Sequence, residues 1–148
     1  LIALDTNILV YAVEAGEPES KDVLARDLLA RLGPVQPIVP LQVIGEFLNT
    51  CRRKKVIAIE MASNRAEEFL YAFRCPATAP ADLLIASRLA DAHRLQYFDA
   101  LIVTVAARAG ATMLLSEDMQ DGLEAAGLRV VNPFVAQNGA LIGGVLGG

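Results

Sequence analysis

The chain has 148 residues, 54% of them hydrophobic, and a formal net charge of −4. That length suits one domain with a core that needs no disulfides, and a pI near 5.0 argues against a strongly basic nucleic-acid binder. Much of the apolar excess is alanine, and no stretch approaches the roughly 20 uninterrupted apolar residues of a spanning helix, so tightly packed helices are expected and a membrane partner is not.

In chain order, "LIALD" reads as a short buried strand and "TNILVYAVEAG" as a turn leading into a helix. "PESKDVLARDLLARLG" places Pro18 as a first-turn residue, with Leu24, Leu28 and Leu32 at helical spacing and Gly33-Pro34 as the stop. "PIVP" is a short strand. "LQVIGEFLNTCRRKK" is an amphipathic helix with a stripe of Val43, Ile44, Phe47, Leu48 and Cys51. "IEMASNRAEEFLYAF" is a further helix and "CPATAP" a connector with room for an edge strand. "ADLLIASRLADAHRL" and "DALIVTVAARAG" are two more helices, the second ending at Gly110. "ATMLLS" is expected as a strand, "DGLEAAG" as a helix closed by Gly127, and "LRVVNPF" as a last strand. Alternating strands and helices imply a mostly parallel sheet. The Gly-rich "NGALIGGVLGG" is expected to be loosely held. The apolar N-terminus lacks a basic lead and carries Asp5, unlike a signal peptide. Cys51 and Cys75 have no metal-like or redox-like spacing, so a reduced cytoplasmic setting is expected.

The acids are the informative residues. Asp5 closes the first strand, and "LLSEDMQDG" sets Glu117, Asp118 and Asp121 just past a later one. In a parallel sheet the ligand site lies outside the carboxyl ends of the strands, so Asp5 and Asp118 share an edge if their strands are neighbours. Asp99 precedes a helix that is apolar nearly all round, and Glu46 flanks the buried stripe of its own helix. Each acid also has a plain structural role open to it. Asp5 with Thr6 and Asn7 can be a turn. Asp99, like Ser116, Asp118 or Asp121, can cap a helix. Glu46 can be a half-exposed helix acid. Joint placement changes the balance, because clustered carboxylates repel one another and raise their own pKa values unless a cation neutralises them. Carboxylate oxygens without Cys or clustered His select Mg²⁺ or Mn²⁺.

In sequence order, "ALDTN" (3–7), "GEFLN" (45–49), "FDALIV" (98–103) and "LLSEDMQDG" (114–122) resemble the motifs of the PIN-domain family, and within it the VapC-like toxins of prokaryotic toxin–antitoxin pairs. The resemblance implies an α/β, three-layer αβα fold with a central, mostly parallel sheet of four to five strands. It covers residues 1–134 and leaves 135–148 as a tail. It also implies a ribonuclease with one or two Mg²⁺ or Mn²⁺ ions held by Asp5, Glu46, Asp99 and Asp118. Asp121 is then an outer acid, and Thr6, Asn7, Asn49 and Ser116 are polar supports. The partners implied are an RNA substrate and a cognate antitoxin. A homodimer is expected from the composition, because apolar helices such as 41–51 and 60–73 suggest apolar surface beyond what a small monomer hides and symmetric dimers are the commonest assembly.

The basic run Arg52, Arg53, Lys54, Lys55 ends a helix, where cations suit the dipole; its functional reading is a phosphate-contacting ridge. His93 is the only histidine, which excludes a two-histidine ribonuclease mechanism within one chain. Ser116 or Ser87 with His93 lacks the G-x-S-x-G elbow of a hydrolase triad. A receiver-like or phosphatase-like domain would need a lysine near a late strand end, and Lys21, Lys54 and Lys55 are the only lysines, none of them expected there. A non-catalytic PIN-like module that binds RNA or protein is the other alternative.

Overall fold

The structure, a computed structural model, describes residues 1–14 and 21–146. Pro18 and the helix start expected there lie outside the described residues. Four strands, β1 (Ile2–Leu4), β2 (Met113–Leu115), β3 (Glu124–Ala125) and β4 (Leu128–Val131), form one sheet in the order β1-β2-β4-β3. β1, β2 and β4 are parallel, and β3 runs antiparallel to β4. Ile38 of "PIVP" makes single parallel bridges to Ala3 and to Arg74, so the expected strand is reduced to one residue, and no edge strand forms in "CPATAP", the bridge falling just before it at Arg74. The helices are α1 (Thr6–Val13), α2 (Lys21–Leu32), α3 (Leu41–Lys54), α4 (Ile59–Ala72), α5 (Pro80–His93), α6 (Tyr97–Arg108) and α7 (Gly139–Val145). This is the expected α/β architecture with a mostly parallel sheet. No helix among the described residues is long and apolar enough to cross a membrane.

The three parallel strands are short, and β1 and β2 are buried throughout, as strands covered on both faces should be. α3 buries Val43, Ile44, Phe47 and Cys51 on one stripe, the spacing that brings one helical face to the core. α6 buries every residue from Ala100 to Ala106. It ends as expected at Gly110, whose φ of +100° permits the left-handed turn. The Gly110 amide donates to the Ala107 carbonyl and the Ala111 amide to the Ala106 carbonyl, which closes the last open carbonyls of the helix. α5 and α6 are tied together by Arg108, whose guanidinium lies 2.9 Å from the carboxylate of Asp82. Asp82 is almost wholly buried, and Arg108 holds its carboxyl below the usual carboxylate range.

Three expectations are overturned. "DGLEAAG" is not a helix: Glu124–Ala125 is β3, and Ala126 and Gly127 form a two-residue hairpin turn with φ of 55° and 77°. So short a segment nucleates a helix poorly, whereas pairing with β4 satisfies its backbone at once. Gly127 is therefore a turn residue, not a helix cap. No helix starts after "LLSEDMQDG" either; residues 116–123 are irregular, with a bend at 117–119 and a turn at 121–122. The tail is not loose over its described part. α7 buries Ile142 in the main core, and Asn138 donates to Asp121 and to the Asn132 carbonyl.

Candidate functional site

The register pairs Leu4 with Leu115, so β1 and β2 end level and side by side. The Asp5 amide donates to the Leu115 carbonyl at 3.0 Å. The residues just past both strands therefore emerge at one sheet edge. Asp5 is also the N-cap of α1 and accepts from the Thr6 amide at 2.7 Å. Its other oxygen accepts from the buried Ser116 hydroxyl at 2.7 Å.

From Asp5 onward, the first turn of α1 arranges the other acids. Thr6 Oγ1 donates to Glu46 Oε2 at 2.6 Å, and Asn7 Nδ2 donates to Asp118 Oδ2 at 2.6 Å. Asp5, Glu46, Asp99 and Asp118 all line one cavity of about 450 Å³ together with Thr6, Asn7 and Asn49. Arg53 and Lys54 stand on its wall. Asp99 is not the cap of its helix; it is the third residue of α6, within the first turn, because the helix begins at Tyr97.

Burial dominates the electrostatics. It pushes the Asp5 carboxyl up to about 6, with Asp99 and Glu46 adding repulsion that the Ser116 and Thr6 hydrogen bonds oppose. Asp99 is raised as well, by burial first and then by Glu46 and Asp118. Four acids around one cavity are thus held against their own repulsion. Among the described residues, no group of three His, Cys, Asp or Glu side chains is already gathered to hold a metal ion. Thr6 and Asn7 engage the Glu46 and Asp118 carboxylates instead. The donor set still fits a hard divalent cation, since it is all oxygen and carries excess negative charge.

Other expected residues lie elsewhere. Asp121 does not line the cavity: it accepts from the Asn132 amide at 2.9 Å and from Asn138 Nδ2, contacts that lower its pKa and tie the C-terminal segment to the turn. Ser116 sits behind Asp5 rather than in the cavity. Arg52 lines a neighbouring groove with Leu48 and Ile59 that shares Asn49 with the acidic cavity, and Lys55 is the left-handed cap of α3, so only Arg53 and Lys54 of the basic run line the cavity itself. His93 ends α5, far in role from any triad. Lys21 corrects the expectation that no lysine approaches a late strand end, because its Nζ lies 3.0 Å from Glu117, just past β2. It is not among the residues lining the acidic cavity.

Gln42 was missed by sequence reasoning. Its Nε2 donates to Glu46 Oε1 and to the Phe98 carbonyl, both at 3.1 Å, joining α3 to α6 beside Asp99. Its position one turn before Glu46 was the available signal. Tyr11 and Glu117, paired across 106 positions at 3.0 Å, had none.

The comparisons with known proteins agree on the fold. VapC20 of Mycobacterium tuberculosis, a toxin that cleaves the sarcin–ricin loop, is 20% identical over 80% of this chain and 90% of its own, with a TM-score of 0.66. A toxin–antitoxin complex from Klebsiella pneumoniae superposes with a TM-score of 0.67 at 20% identity, covering 90% of this chain and 98% of that one. VapBC2 of Rickettsia felis, solved on a DNA fragment of its promoter, gives 0.64 at 18% identity over 88% and 97%. A comparison with curated proteins finds no match. The PIN-domain family model matches residues 2–122, from the first residue of β1 through the loop that carries Asp118, and the chain belongs to the PIN-domain family.

Proposed function

We propose that the chain is a divalent-metal-dependent endoribonuclease that hydrolyses RNA phosphodiester bonds in the cytoplasm, as the toxin of a toxin–antitoxin pair. The observation that carries this reading is the single cavity lined by Asp5, Glu46, Asp99 and Asp118. Family membership supports the reaction class, and the toxin and toxin–antitoxin neighbours support the setting.

Asp5, Asp99, Glu46 and Asp118 would hold one or two Mg²⁺ or Mn²⁺ ions, which when bound lower the pKa of a water and offset charge developing on the phosphate. Asp5 and Asp99 are the first choices as direct ligands, Asp5 because Ser116 and Thr6 fix its two oxygens. Glu46 or Asp118 orients the attacking water and accepts its proton. Arg53 and Lys54, on the cavity wall, neutralise phosphates flanking the scissile one. A cognate antitoxin restrains the activity, and a second copy of the chain completes a homodimer.

The test is cleavage of RNA by the purified chain with and without Mg²⁺ or Mn²⁺, beside Asp5→Asn and Asp99→Asn. Each variant should lose more than the roughly 10–100-fold typical of outer-shell changes at metal sites. Wild-type rates in either variant would sink the metal-site reading. No cleavage by the wild-type chain with either ion would leave a binding module in its place.

A further inference from the structure

The loop after β2 exposes its acid selectively. Of residues 116–119, Ser116 and Met119 are buried, Glu117 is half-buried and only Asp118 is exposed. Each neighbour of Asp118 is fastened. Ser116 is bonded to Asp5 at 2.7 Å, and the Met119 amide donates to Ser116 Oγ at 3.3 Å. Glu117 Oε1 accepts from the Tyr11 hydroxyl and from Lys21 Nζ, each at 3.0 Å. The Lys21 ammonium also stands 5.6 Å from the centre of the Tyr11 ring and 5.7 Å from that of Phe134. The two rings meet edge to face at 5.3 Å. One lysine of α2 is thus caught between two aromatic faces and a carboxylate, an arrangement favourable to a cation.

Stability alone does not explain this contact. Glu117 Oε2 is buried with no hydrogen-bond partner among the described residues, and a buried oxygen without a partner works against folding. An apolar side chain of similar length would fill the space without that cost. What the contact does achieve is geometric. It holds the residue beside Asp118 through groups that do not line the cavity, while Asn7 holds Asp118 itself from α1.

We propose that the Tyr11–Glu117–Lys21 contact, flanked by Phe134, is a brace that presents Asp118 to the acidic cavity, with Glu117 as a positioning residue. This rests on the reading of the cavity as a metal-dependent nuclease site. The brace acts on Asp118 through the backbone of the loop and does not touch substrate.

The experiment measures Mn²⁺ binding by electron paramagnetic resonance of the free ion, together with melting temperature and RNA cleavage. It compares the wild-type chain with Glu117→Met, Lys21→Met and Lys21→Arg. The brace predicts that the two Met variants bind Mn²⁺ about tenfold more weakly, the low end for residues that orient metal ligands. The kcat should fall while the KM for RNA stays put. Melting temperature should hold or rise in Glu117→Met, which removes the buried oxygen, and need not do so in Lys21→Met, which leaves the Glu117 carboxylate without its cation. Lys21→Arg, which keeps the charge and the aromatic contacts, should recover most of the affinity. Wild-type Mn²⁺ affinity in both Met variants would overturn the proposal, as would Lys21→Arg behaving like Lys21→Met. Failure of the wild-type chain itself to bind Mn²⁺ would instead remove the nuclease reading on which the brace rests.

Discussion

Asp5 concentrates the conflict at the site. It caps α1, joins β1 to β2 through its amide, and lies almost wholly buried with its carboxyl pushed up to about 6 by that burial. Its folded pKa stands above the ordinary value of 3.8, so the folded chain holds the proton more tightly than the unfolded one does. The stability tied to neutral Asp5 is complete below about 3.8 and is lost as pH rises through about 6. The difference corresponds to roughly 3 kcal/mol at pH 7. Asn at this position keeps hydrogen-bonding atoms for the Thr6 amide and the Ser116 hydroxyl but carries no charge. With chelator present, Asp5→Asn should therefore melt higher than the wild-type chain at pH 7.5, and the advantage should shrink toward pH 4. Thermal unfolding at the two pH values checks it; an advantage independent of pH would mean that charge burial is not the cause.

At the scale of elements, α1 matters more than its length implies. Its cap, its first two residues and Tyr11 reach Ser116, Glu46, Asp118 and Glu117 in turn, so one short helix organises acids from α3 and from the loop after β2. The β3–β4 hairpin is less well matched to its sequence. Both turn residues have positive φ, the condition of the hairpin turn that favours Asn-Gly, yet the first is Ala126. An alanine there pays the left-handed penalty that Asn largely avoids. Ala126→Asn should stabilise the chain by about 1 kcal/mol, read as a higher midpoint in urea with an unchanged slope. A lower midpoint would show that the turn is not limited by backbone strain.

On the scale of the whole molecule, the surface carries apolar groups that the core does not use. α5 presents Leu83, Leu84 and Ile85 in succession, Leu84 at 68% exposure. Three consecutive exposed apolar residues are unusual on a monomer's surface. If this face is where the proposed homodimer forms, Leu84→Glu should weaken self-association by at least about tenfold, since burying one leucine is worth about 1.5–3 kcal/mol. Sedimentation equilibrium distinguishes the outcomes. A wild-type chain that stays monomeric at high concentration removes the homodimer, and a dimer indifferent to the substitution places the contact on another face.

The positions of the four acids were legible in the sequence because they follow local rules. Asp5 ends an apolar run, Asp118 follows another, Asp99 lies in the first turn of a buried helix and Glu46 flanks an apolar stripe, and strand alternation directs the first two to one sheet edge once their strands are neighbours. The existence of the helices α3 to α6 followed from the same periodicity, although α6 begins at Tyr97, two residues before Asp99. What only the tertiary structure decided depends on partners far apart in the chain. "DGLEAAG" became a strand because β4 was there to pair with it. Asp121 turned to Asn132 and Asn138, leaving the cavity, because the tail packed back as α7. Arg52 lines a groove with Leu48 and Ile59 while Arg53 and Lys54 line the acidic cavity, a division that depends on which neighbours α3 packs beside and that the run of like charges does not show. Lys21 met Glu117 across 96 positions, a contact that no local pattern encodes because it exists only once α2 has packed beside α1.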